Sequence, residues 1–258
     1  MSEGGEPATT ITREEEPISA HLPLRGTGTF ERWVEVADEA ALVAAIRAAR
    51  AEKSTIRPIA PFCDALPPEG GLTGVALRLG VGFEGIDHAP EGLRVGASAP
   101  LALVGMRKGY EALAGAPGTL ADAWEEGWIA PALYRVRRFR GRSFEEVDDP
   151  APDAKTLIVA GWLKPGVKLH VPAAGQAFRE IKRRGIELRG LLARYGLAGL
   201  RLGGAALAED DPAVLVNRGD ASPKQLRLVL QAARERVHTA TGWTLEDRLV
   251  APGRGGRL

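Results

Sequence analysis

The stretch Phe30–Ala51, FERWVEVADEAALVAAIRAARA, decides the fold class. Its first seven residues alternate, with Phe30, Arg32, Val34 and Val36 set against Glu31, Trp33 and Glu35, the period of a short strand. Asp38 then caps a helix to about Ala51. Leu42, Ala45, Ile46 and Ala49 share one face of it, and Arg47, Arg50 and Lys53 lie towards the end where the dipole favours cations. Ile56–Ile59, Val75–Leu79 and Leu93–Ala97 read as further strands, so the chain opens as a small α/β lobe.

Outward from this stretch the pattern is uneven. Residues 1–21 carry Glu3, Glu6, Glu14, Glu15 and Glu16 against one Arg13 and read as a disordered acidic tail. Pro100–Ala114 looks helical but is interrupted by Gly105 and Gly109. Leu133–Phe139 alternates as a strand with a turn at Gly141, and the acidic, proline-broken Glu145–Asp153 reads as a loop. Thr156–Leu163, TLIVAGWL, is the strongest strand in the chain. Gln176–Tyr195 is partly helical, and Leu200–Leu202, Ala205–Leu207 and Val214–Val216 are short strands. Ser222-Pro223 opens an amphipathic helix that ends near His238, and residues 251–258 form a loose Gly/Arg tail.

The 258 residues have a formal net charge of +1, so no global field favours nucleic acid or an anionic membrane. No apolar run approaches the roughly 20 residues of a membrane span, and the N-terminus has neither a signal-peptide nor a transit-peptide pattern. A cytoplasmic protein is expected. A single cysteine, Cys63, excludes an internal disulfide; its thiol is either reactive or a small buried group. The excess of 27 Arg over 7 Lys fits a GC-rich coding bias as well as it fits anion recognition.

No set of residues announces an active site by spacing alone. His21, His88, His170 and His238 lie in no metal-binding spacing. Arg135, Arg137, Arg138, Arg140 and Arg142 place five guanidinium groups within eight residues. They could grip a phosphate together with Arg201, or form a solvated edge strand neutralised by Glu145, Glu146, Asp148 and Asp149.

Seven phrases in order carry a resemblance. They are Pro23-Leu24 with Thr29-Phe30, Val75–Gly80, Leu93–Leu101, Leu113–Thr119, Pro172–Phe178, Gly196–Ala205 and Val214–Gly219. Together they resemble the UDP-N-acetylenolpyruvoylglucosamine reductase (MurB) family, flavin enzymes of peptidoglycan precursor synthesis. The resemblance implies an α+β, MurB-like architecture. Residues 22–165 would form the FAD-binding lobes of the vanillyl-alcohol-oxidase type, and residues 166–250 a C-terminal α/β substrate-type domain.

The family's functional motifs are altered. Its glycine-rich diphosphate loop falls on Ala60–Leu66, where Pro61 lacks an N–H, Phe62 fills space and Asp64 adds a repelling charge. Its second flavin loop keeps Pro117, Gly118 and Thr119 but continues as Leu120-Ala121-Asp122. The proton-donating serine aligns with Gln176, which cannot act as a general acid, and the partner glutamate aligns with Arg248. Glu246 lies two residues from that register, and Thr119 and Asn217 could hold a ligand. The expectation is a non-catalytic protein without FAD, with the flavin space filled by Phe62, Trp124 and Trp128. Its partner would be a cell-wall or division protein or a nucleotide-sugar. The alternative is an active FAD- and NADPH-dependent reductase with an atypical site. A third is a separate phosphate-binding module on Arg138, Arg140 and Arg201.

Overall fold

A computed structural model describes residues 10–60, 65–148, 151–152, 156–181 and 186–249. Three sheets organise them. The first joins β1 (Ile11–Pro17), β2 (Thr29–Val36), β4 (Leu72–Leu79) and β3 (Ile56–Pro58) in the order β1-β2-β4-β3. β1 runs antiparallel to β2, whereas β2, β3 and β4 are parallel. Helix α1 (Glu39–Ala51) makes the crossover from β2, and the Asp38 carboxylate accepts from Ala41 N at 2.7 Å as its N-cap.

The second sheet is antiparallel, in the order β5-β6-β9-β7-β8. Its strands are β5 (Ile86–Ala89), β6 (Gly92–Gly96), β7 (Leu133–Arg140), β8 (Ser143–Val147) and β9 (Thr156–Leu163). β9 lies at its centre and buries every residue except Trp162, which is why its sequence is an almost continuous apolar run. Val34, Leu42, Ile46 and Leu77 of the first unit share one core with Val95, Val136, Phe139 and Ile158 of this sheet. Two short helices, α2 (Leu101–Gly105) and α3 (Leu120–Glu125), connect β6 to β7.

The third unit combines α4 (Leu188–Arg194), β10 (Arg201–Leu202), β11 (Ala205–Leu207) and β12 (Leu215–Asn217) with the long helix α5 (Pro223–Thr241). Leu226, Val229, Leu230, Ala233 and Val237 of α5 pack on Leu207, Leu215 and Phe178 in a separate core, which also receives Leu24 and Leu66. A reciprocal capping box between Ser222 and Gln225 opens α5. Gly242, at φ 72°, closes it in the left-handed conformation that glycine adopts without cost.

Three expectations need correction. Residues 11–20 are ordered, because β1 pairs with β2 along its length and its acids find cations, Arg13 with Glu16 at 2.8 Å and Arg32 with Glu14 at 2.9 Å. Glu145–Val147 belong to β8, where Arg137 and Arg138 of β7 face Glu146 and Glu145, so the acids form a ladder rather than a loop. In Gln176–Tyr195 the helix described is confined to α4. Residues 1–9, Pro61–Asp64 and 250–258 lie outside the described residues.

Replacing Ser222 with Ala removes one half of the α5 capping box and is expected to lower unfolding free energy by about 1 kcal/mol. Urea denaturation at constant m-value measures this, and an unchanged midpoint would mean the cap contributes nothing.

Candidate functional site

Backbone pairing brings together two positions far apart in sequence. Ala177 N donates to Ala213 O at 2.7 Å, and on the other side Arg248 N donates to Ala177 O at 2.9 Å and Arg179 N to Glu246 O at 2.8 Å. Segment 176–179 is thus held between 213–214 and 246–248, with bridges Gln176–Val214 and Phe178–Asp247. Gln176 and Arg248 therefore stand on one wall of a cavity of about 500 Å³, together with Glu246, Trp128, Arg179 and His170.

Both side chains are engaged. Buried Gln176 donates through Nε2 to Phe178 O at 2.9 Å and Glu180 Oε1 at 3.2 Å, and its Oε1 accepts from Ala173 N at 3.2 Å. Arg248, whose side chain is 9% exposed, donates to both carboxylate oxygens of Glu126. Its Nη2 lies 2.7 Å from each oxygen, and its Nη1 reaches Ala173 O at 3.2 Å and Gln176 O at 3.3 Å. This bidentate geometry suits a planar guanidinium and fixes the cavity wall.

Glu126 immediately follows α3, the helix that begins at the retained Pro117-Gly118-Thr119. There the backbone donors are already used. Thr119 N donates to Asp122 Oδ2 at 2.7 Å, Leu120 N to Ala99 O at 3.3 Å, Ala121 N to Ala97 O at 2.8 Å and Asp122 N to Thr119 Oγ1 at 3.5 Å. Asp122 Oδ1 is buried without a hydrogen-bond partner among the described residues. Burial is the main cause that pushes its carboxyl up to about 8, reinforced by the charges of Glu125 and Glu126 and opposed by the Thr119 hydrogen bonds. Glu125 keeps solvent contact but also borders a cleft with Pro58, Ile59, Leu77, Ser98 and Leu157. Burial there, then the charge of Glu126, raises its carboxyl to about 7. The cleft holds about 10 Å³, the space of a single water. These residues do not fit a flavin diphosphate as they stand: a dianion would meet occupied N–H groups and a carboxyl in place of glycine backbone.

Other expected site residues do not converge. Arg138 is 8% exposed and donates to Glu145 at 2.7 Å, so its guanidinium is committed within the sheet, although Arg138 and Arg140 keep one continuous register beyond the shift between Arg137 and Arg138. Arg140 is exposed at the end of β7, and Arg142 lies in the turn beyond the strand. β7 is an interior strand, with β8 forming the edge. Arg201 belongs to the third sheet and donates to Gly203 O at 2.7 Å. Asn217 ties β12 to the first unit by donating to Leu24 O at 2.8 Å, while its Oδ1 accepts from Gly219 N and Ala221 N. Trp124 is buried in the shared core, and Trp128, half-buried, lines the large cavity. Phe62 and Cys63 are outside the described residues. Among the described residues no group of three or more His, Cys, Asp or Glu could hold a metal, and no helix is long and apolar enough to cross a membrane.

The structure superposes on UDP-N-acetylenolpyruvylglucosamine reductase (MurB) from Thermus caldophilus with a TM-score of 0.71 at 19% identity, over 94% of this chain and 99% of that one. The fold is that of this reductase. Residues 167–250 match the model of the UDP-N-acetylenolpyruvoylglucosamine reductase C-terminal domain. The reductase of that name from Heliobacterium modesticaldum is 25% identical over 304 residues, 96% of this chain and 95% of its own length. That from Anaeromyxobacter sp. is 26% identical over 278 residues, 92% and 87% of the two chains. Over nearly its whole length the chain is thus similar to UDP-N-acetylenolpyruvoylglucosamine reductases (MurB), with the family's C-terminal domain matched over residues 167–250.

Two predictions follow from this geometry. Arg248→Met leaves half-buried Glu126 without its cation, with only the Trp128 Nε1 donor at 3.1 Å, and should cost about 2 kcal/mol, most of it recovered in the double variant with Glu126→Gln. Additive losses in that double-mutant cycle would show the pair to be uncoupled. The raised carboxyl of Asp122 means the folded protein holds a proton that the unfolded chain has lost, so stability falls as pH rises from about 4 to about 8. Asp122→Asn keeps an acceptor for Thr119 and should flatten the fall of Tm over that window. Parallel Tm curves for the two proteins would contradict the buried protonated acid.

Proposed function

We propose that this chain is a non-catalytic, FAD-free member of its family, acting in the cytoplasm as a binding protein in peptidoglycan precursor metabolism. Its ligand site is the 500 Å³ cavity, its ligand a nucleotide-sugar, and its further partner a cell-wall or division protein. The observation that carries this reading is the state of Gln176 and Arg248. They occupy the positions that match the family's proton donor and partner glutamate, they meet at one cavity wall, and neither can deliver a proton there. An amide has no dissociable proton near neutral pH, and the guanidinium is held by Glu126.

The cavity itself remains suited to a ligand. Trp128, Ile181 and Leu245 offer apolar surface, while Arg179 and His170 supply cationic or donor groups for an anionic one. A second reading is favoured by Glu246, an exposed acid on the same cavity whose side chain has no hydrogen-bond partner among the described residues. It could serve an active FAD- and NADPH-dependent reductase.

One assay separates the two. NADPH oxidation is followed with the enolpyruvyl ether of UDP-N-acetylglucosamine and excess FAD, alongside Trp128 fluorescence during titration with UDP-N-acetylglucosamine. The proposal expects no oxidation above the blank and a saturable fluorescence change that Arg179→Ala weakens. Turnover abolished by Glu246→Gln would establish the reductase instead.

A further inference from the structure

A second cavity, of about 310 Å³, lies between α1 and the β7–β8 hairpin and shares no lining residue with the first. Its walls are built by helix geometry. Val43, Ile46, Arg47 and Arg50 recur at three- and four-residue intervals and so lie on one face of α1. Phe139, 1% exposed, comes from β7, and Arg142 comes from the turn that follows. The first turn of α1 is clamped to the same strand by Glu39, which takes Arg137 through two bonds of 2.7 and 2.8 Å. The cleft is thus held open between a pinned helix and a hairpin.

Its charge is unbalanced. The nearby carboxylates are committed elsewhere: Glu39 and Glu146 to Arg137, Glu145 to Arg138, Asp148 to Arg135 and Glu52 to Arg32. Arg47, Arg50 and Arg142 have no side-chain hydrogen-bond or ion-pair partner among the described residues. Three guanidinium groups that face one partly apolar cleft repel one another, and a doubly charged anion among them would remove that repulsion.

We infer that this cleft is a binding site for a small phosphate monoester whose organic part is apolar or a planar ring. The three guanidinium forks match the oxygens of a dianionic phosphoryl group. Val43, Ile46 and Phe139 provide an apolar floor against which the attached body packs. The concavity and volume are those of the smaller small-molecule sites, about 300 Å³, and not of the open face that a folded partner needs. This site is separate from the family's cofactor loops at Pro117–Thr119 and from the cavity of Gln176 and Arg248.

The test is equilibrium dialysis and calorimetry of the full chain at low ionic strength with phenyl phosphate, using inorganic phosphate and benzoate as partial probes. Phenyl phosphate should bind saturably at one site, tighter than either partial probe. Arg142→Ala and the double variant Arg47→Ala/Arg50→Ala should each weaken it by at least about tenfold, because each removes charge-assisted hydrogen bonds. Val43→Ser should weaken phenyl phosphate and leave inorganic phosphate unchanged. Thermal melts of each variant matching the parent show that the fold is kept; the arginine replacements are on exposed side chains, so this is the expected result. No saturable binding at millimolar phenyl phosphate would overturn the inference. So would binding that survives the triple arginine variant. Equal affinity for phosphate and phenyl phosphate, with Val43→Ser silent, would reduce the cleft to a generic basic surface and overturn it too.

Discussion

The ion pair between Glu126 and Arg248 joins residues 122 positions apart and ties the end of α3 to the C-terminal segment that walls the large cavity. Either one alone would leave a charge beside the other unit with nothing to neutralise it. Together they form a bidentate contact whose rupture would cost about 2 kcal/mol at this degree of exposure. The cavity owes its shape to that pair, since Arg248 also ties down the carbonyls of Ala173 and Gln176.

The same compensation recurs at α3. A diphosphate-binding loop needs backbone donors that point at open space. Here Thr119 and Asp122 satisfy one another, Ala97 and Ala99 take the next two N–H groups, and a carboxyl held towards its neutral form sits behind them. The helix packs Leu120, Ala121, Ala123 and Trp124 into the core that the two sheets share, within a fold that matches the Thermus caldophilus structure.

Much of this was legible in the sequence where a single element carries its own pattern. The strand over Phe30–Val36, the Asp38 cap, the apolar run of β9 and the Ser222-Pro223 start of α5 all appear in the structure, although Trp33 is buried beside Val34 and not set on a polar face. Local reading failed where order depends on a distant partner. Glu14–Glu16 look unstructured until β2 supplies the ladder and Arg32 the counter-charge. Glu145 and Glu146 look like loop acids until β7 places Arg138 and Arg137 opposite them. The site was half visible: alignment of motifs singled out Gln176 and Arg248, but nothing local paired Arg248 with Glu126 or placed Trp128 and Arg179 beside them. The spacing Thr119-x-x-Asp122 suits a helix cap, and α3 opens on that capping box.

The central claim is that this chain keeps the family's framework while its flavin contacts have been replaced by internal ones. The most direct test is the visible absorbance spectrum of the purified protein, before and after incubation with excess FAD and desalting. The account expects a colourless protein that retains no flavin band. A flavin spectrum that survives desalting would mean that α3 opens to accept the diphosphate, and it would contradict the claim.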